Sequence, residues 1–175
     1  MGYIYGSGGM GAFPELSSIT PIGTDGDQNF DVDLDKALDG DAATFAKVTA
    51  KTALTEHAIL KVDLGDKYLI GQIRAKTAVW ANNDFATAAE VTIDCDVSED
   101  GTNWTQIDTF NDAATLKNST DIEVQDTFEV SSDVYIAQYI RIDILMSGGT
   151  AGTDNEARVY ELFVAGLPLT QEPVI

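Results

Sequence analysis

The residues of this chain with the greatest capacity for chemistry are acidic and come in short runs. Asp39-Gly40-Asp41 is followed by Thr44. Such a turn brings two carboxylates and exposed carbonyls within a few residues, and the Thr44 hydroxyl adds another hard oxygen. Oxygens at that density suit calcium, which takes about six to eight of them in tolerant geometry. The same residues also suit a plain tight turn in which Asp39 and Thr44 cap backbone amides. Both readings stay open, and both are structural. Asp31-Val32-Asp33-Leu34-Asp35 begins like an EF-hand loop, but Lys36 stands where the turn glycine belongs and Ala42 where the closing glutamate belongs. Gly6-Ser7-Gly8-Gly9-Met10-Gly11 spells a dinucleotide fingerprint, yet Pro14 follows at once and no strand–helix–strand unit surrounds it.

Catalysis finds little to work with. His57 is the only histidine, so a histidine-based metal cluster is excluded, and it reads as a strand-edge surface residue. Cys95 is the only cysteine. It sits in Val91-Thr92-Ile93-Asp94-Cys95-Asp96-Val97, where apolar and acidic positions alternate, so it reads as a small core residue. Carboxylates are abundant, but no spacing marks a pair placed for acid–base work. The expectation is a protein that is not an enzyme, with calcium as its one possible cofactor.

The elements that must position these residues are strands. Leu60, Val62 and Leu64 alternate with Lys61 and Asp63, and Ile73, Ala75, Thr77 and Val79 repeat the pattern. Ile122 and Val124, Phe128 and Val130, and Ile140, Ile142, Ile144 and Met146 continue it. Gly, Asp, Asn and Ser clusters separate the runs, and helix is limited to about one turn near Asp33–Leu38. An all-β antiparallel sandwich follows. All four prolines lie near the ends, and seven of the fifteen glycines fall within residues 1–26. The chain therefore divides into an extended Gly-rich N-terminal arm (1–29), a compact body (30–166) and an extended C-terminal arm (167–175).

With 29 acids against 10 bases, the net charge is −19. That charge repels nucleic acid and anionic membrane surfaces, so neither is an expected partner. No apolar run is long enough to span a membrane. A lone cysteine excludes an intrachain disulfide, and the first residues lack the basic and apolar segments of a signal peptide. The expected site of synthesis is a reducing cytoplasm.

Five phrases recur in a fixed order: Ala37-Leu38-Asp39-Gly40-Asp41-Ala42-Ala43-Thr44, Ile59-Leu60-Lys61-Val62-Asp63-Leu64-Gly65, Val97-Ser98-Glu99-Asp100-Gly101-Thr102-Asn103-Trp104, Ala137-Gln138-Tyr139-Ile140-Arg141-Ile142 and Glu161-Leu162-Phe163-Val164-Ala165-Gly166. Their order and spacing resemble the discoidin, or coagulation-factor C-type, domain over roughly residues 30–166. The resemblance implies a galactose-binding-like jelly roll. It implies that a structural calcium at the Asp39 loop, if present, is held by Asp39, Asp41, Thr44 and Glu161 of the last strand. It implies a buried Trp104 and a scaffold role for Arg141. It also implies that glycan contacts come from loops at one end of the sandwich. Trp80-Ala81-Asn82-Asn83-Asp84-Phe85 is the best candidate there, with Trp80 as platform and Asn82 and Asp84 as hydroxyl partners. The competing reading buries Trp80 at a strand end. Phe45 replaces the family's familiar tryptophan after the loop.

Two functions are compatible with such a domain. The arms favour a structural protein of a large assembly, with a bacteriophage virion protein (head decoration or tail-associated subunit) as the expectation. Tyr3, Ile4, Tyr5, Met10 and Phe13 would be its contacts with other subunits, copies of itself included. The alternative is a carbohydrate-binding module or lectin, with glycan as the partner.

Overall fold

The structure is a computed structural model that describes residues 14–16, 19–23, 28–29, 33–50, 57–81, 90–112, 122–130, 133–147 and 155–169. The assembly contacts expected at Tyr3, Ile4, Tyr5, Met10 and Phe13 lie outside them, as do Asn82 and Asp84. Nine strands run in order: β1 (Thr20–Gly23), β2 (Gln28–Asn29), β3 (Ala46–Ala50), β4 (His57–Ala81), β5 (Glu90–Ser98), β6 (Thr105–Asp112), β7 (Ile122–Val130), β8 (Tyr135–Ser147) and β9 (Asn155–Pro168). A 3-10 turn, Leu34–Leu38, precedes β3, close to where the sequence places its one helical turn.

The two strands expected within 57–81 are one strand of 25 residues. Gly65 has φ +81° and donates its amide to Asp63 Oδ1 at 2.8 Å, so β4 turns sharply there without leaving the sheet. Its first arm, residues 57–64, pairs with β8, β1 and β2, and β8 continues to β5 and β6. Its second arm, residues 68–81, pairs with β9 and β7, and β9 carries β3. Residues 68–70 also pair with β8, so one continuous ladder, antiparallel except for the β2–β4 pair, is folded into two layers.

The alternation read from sequence decides what lies between them. Leu60 and Val62, Ile93 and Cys95, and Ile140, Ile142 and Ile144 pack from one layer against Ile73, Ala75, Val159, Leu162 and Val164 of the other, all buried. Burying a Leu, Ile or Val side chain contributes about 1.5–3 kcal/mol, so this one cluster dominates the fold's stability. A bulge in β9 matters for the outer surface. Lys76 pairs with Glu161 but Thr77 with Val159, leaving Tyr160 as an extra residue. The parity of β9 therefore reverses at that point. Val159 faces the core before it and Leu162 after it, so Glu156 and Arg158, then Glu161 and Phe163, face outward.

Residues 14–16, within the segment read as an arm, lie against the end of β9. Glu15 bridges Ala165, Leu16 N donates to the Val164 carbonyl at 2.9 Å, and Gly166 N donates to the Pro14 carbonyl at 3.0 Å.

Candidate functional site

Connectivity gathers the candidate glycan end. The C-terminal ends of β3, β4, β6 and β8 and the N-terminal ends of β5, β7 and β9 meet there, since Ala50 pairs with Asn155, Ala81 with Ile122, Glu90 with Ser147 and Val91 with Asp112. Trp80 stands at the rim, in register with Glu156 of β9 and Glu123 of β7. Its position on β4 has the parity of Arg74 and Lys76 and not of core residues Ile73 and Ala75. The Trp80 side chain lies outside the described ones, as does that of His57 at the start of β4.

A charged network underlies this rim, and sequence reasoning did not find it. Glu156 is 8% exposed and accepts from Lys47 Nζ at 2.6 Å and from Arg158 Nε and Nη2 at 2.8 and 2.6 Å. Burial pushes its carboxyl up, but these donors outweigh burial and hold it below the ordinary value. Arg158 also stacks on Phe45, 4.4 Å from the ring centroid, and Phe45 meets Tyr160 edge-on at 5.0 Å. Phe45 thus sits in a cation–aromatic stack on the outer face.

The Asp39 loop is tightly bonded. Asp39 Oδ1 accepts the Asp41 amide at 2.9 Å, its Oδ2 accepts the Thr44 hydroxyl at 2.8 Å and Lys36 Nζ at 3.3 Å, and Asp41 Oδ1 accepts the Ala43 amide at 3.0 Å. The Asp41 amide first, and then the Thr44 hydroxyl, hold the Asp39 carboxyl below its ordinary value. The turn also reaches Glu161, whose charged carboxyl is opposed by burial and by neighbouring acids but is helped by the Gly40 amide. Burial first, and then the charges of Asp39, Glu15 and Asp41, push the Glu161 carboxyl up. Its Oε2 is buried and has no hydrogen-bond partner. The loop beside it is closed by Thr44 Oγ1, 2.8 Å from Asp39 Oδ2 and 3.1 Å from the Asp41 carbonyl, and is flanked by Lys36 and Lys76. Among the described residues, Asp39, Asp41 and Glu161 are not grouped closely enough to hold a metal through their carboxylates alone, so an ion here would draw on the hydroxyl and carbonyl as well.

Trp104 departs from expectation. It is half-buried on the outer face of the β5–β8–β4 layer, with Arg141 at 4.6 Å and Lys61 at 5.3 Å from its ring centroid. Arg141 in turn bonds the buried Asp96 at 3.0 Å. The physical reason is parity: Lys61 and Arg141 alternate with core residues, so a ring resting on them lies outside the core. Cys95 lies inside it, and burial first, with Asp96, Asp108 and Asp94 adding, pushes its thiol far above the ordinary value, so it is no nucleophile.

The sequence matches the F5/8 type C domain family over residues 17–157. No curated protein matches it. Among solved structures, a family 89 glycoside hydrolase from Clostridium perfringens shares the fold at 22% identity and TM-score 0.54, over 92% of this chain but 16% of that one. The CBM32-3 domain of a family 31 glycoside hydrolase from the same organism aligns at 20% identity and TM-score 0.54, over 93% of this chain and 99% of that one. The C-terminal domain of a chitobiase from Bacteroides fragilis aligns at 20% identity and TM-score 0.50, over 90% and 100%. At these identities the likeness establishes the fold, an antiparallel galactose-binding-like jelly roll. It also corrects the expectation of a bacteriophage virion protein. The neighbours are carbohydrate-binding modules of glycoside hydrolases, which favours the carbohydrate-binding alternative and lends no support to a decoration or tail subunit.

Proposed function

The chain belongs to the F5/8 type C domain family, and from that premise we propose that it is a non-catalytic carbohydrate-binding module. One observation carries the reading to particular residues: Trp80 stands at the rim of the end where strand ends β3 to β9 converge. Sugar sites pair an aromatic face with a few convergent polar groups. Trp80 supplies the face in this reading, and Asn82 and Asp84, which follow it in sequence, supply hydroxyl contacts. The Glu156 network beneath braces the strand ends, so less ordering is left for the ligand to impose. A glycan array probed with the whole chain and with Trp80→Ala tests this. Array hits lost in the variant at unchanged melting temperature support the reading. The absence of any hit, or hits that survive the substitution, would refute it.

A structural calcium at Asp39, Asp41, Thr44 and Glu161 is part of the same proposal. Its support is the buried Glu161 Oε2, which has no hydrogen-bond partner. Bound there, calcium would supply counter-charge to the Asp39, Asp41 and Glu161 carboxylates. Asp39 and Asp41 belong to the loop before β3 and Glu161 to β9, so its role is to tie one to the other.

A further inference from the structure

The outer face of the β3–β9–β4–β7 layer is where this acidic chain concentrates positive charge. Four of its ten basic residues, Lys47, Arg74, Lys76 and Arg158, stand there. Lys47 and Arg158 are engaged by Glu156. No described carboxylate side chain is bonded to Arg74 or Lys76, and Glu129 of β7 stands opposite Arg74 in register. The exposed Arg74 guanidinium lies 4.1 Å from the Phe163 ring centroid. Lys76 Nζ lies 4.3 Å from that of Tyr160 and donates to the Ala42 carbonyl at 3.1 Å. Two residues apart on one strand, they share a face at a backbone separation of about 6.6 Å. Beside them, against the 39–44 loop, opens a cleft of about 410 Å³.

We propose that this cleft binds the acidic substituent, carboxylate or sulfate, of an anionic sugar residue. The proposal rests on the carbohydrate reading and extends it to a second contact, away from the Trp80 rim. A guanidinium presents a planar fork matched to two anionic oxygens, and an ammonium adds a point charge. The aromatic rings under both side chains hold them in place, so little rotamer freedom is lost on binding. The volume is in the range of small-ligand clefts, about 300–1,000 Å³. Two acids also line the cleft. Glu161, half-buried, and Glu15, at the exposed rim, are the groups an anion would have to avoid while it engages Arg74 and Lys76. Net charge of −19 repels a polyanion from the rest of the surface, so Arg74 and Lys76 would also set its orientation.

Affinity electrophoresis of the whole chain in polygalacturonate, dextran sulfate and neutral galactan at low ionic strength tests the idea. Retardation by either acidic polymer is expected, with binding weakened about tenfold for each cation removed in Arg74→Gln and Lys76→Gln, the order of a charge-assisted hydrogen bond at an open site. Which acidic polymer binds tells uronate from sulfate. Lys67→Gln, which removes a distant cation paired with Glu99, should leave retardation unchanged. Equal retardation of the wild type and the double variant, or an equal loss in Lys67→Gln, would overturn the proposal. Binding of galactan without either acidic polymer would sink this proposal alone, whereas binding of no glycan in the gels or on the array would sink the carbohydrate reading with it.

Discussion

Glu156→Gln measures how firmly the rim of the sandwich is held. The carboxylate takes three charge-assisted bonds, two from the Arg158 fork and one from Lys47. An amide of the same shape keeps one uncharged acceptor and turns an NH₂ group toward the two cations. Each bond to a charged group is worth about 1.5–3 kcal/mol. Lys47 and Arg158 keep 30% and 13% side-chain exposure, so water recovers part of the loss, more for Lys47 than for Arg158. The expected net cost is about 2–3 kcal/mol, a fall in Tm of roughly 5–10 °C for a domain of this size. The pH dependence identifies the cause. The Glu156 carboxyl lies below the ordinary glutamate value of 4.5 in the folded state, so its stabilisation is present above that value and is lost as pH falls through the depressed one. Urea unfolding of both proteins, from neutral pH downward in steps, should show a gap that closes in acid. A gap that stays constant across the range would refute the electrostatic account and leave packing as the cause.

Gly166→Ala should destabilise by about 1–3 kcal/mol in urea, because a Cβ there would stand 2.9 Å from the Leu69 carbonyl oxygen and 3.1 Å from Ile70 Cδ1; an unchanged midpoint would mean that β4 and β9 can part freely. Chelation should lower the Tm of the wild type and not of Asp39→Ala, while equal curves with and without chelator, once metal analysis shows the ion gone, would leave the loop a plain capped turn. In chelator the wild type should gain stability as pH falls through the raised Glu161 pKa, since the charged form is the costly one when folded, and Glu161→Gln should abolish that gain. A calorimetric pH series on both proteins decides it.

The layers were legible because their signal is local. Leu60 to Leu64, Ile93 to Val97 and Ile140 to Ile144 each announce a buried face by simple alternation, and each lies where that alternation puts it. What escaped the sequence depends on contacts between distant segments. Trp104 reads as a core residue until the pairing of β4, β5 and β8 brings Lys61 and Arg141 under its ring. The outer stack of Phe45, Arg158, Tyr160 and Lys76 joins the loop before β3 to β9 and β4, segments far apart in the chain. It also depends on the β9 bulge at Tyr160, which no alternation rule anticipates. The Asp39 turn was visible as a turn, but the unpartnered Glu161 oxygen beside it could not be read from residue types.

The bridge between Glu15 and Ala165 has a consequence for how such a domain can be carried. The two backbones run side by side there, Cα atoms about 5 Å apart. The ten residue steps along β9 from Asn155 to Ala165 separate that point from the Trp80 rim by roughly 33 Å. A domain whose first and last described segments lie side by side can be spliced into a surface loop of a host protein without prying that loop open.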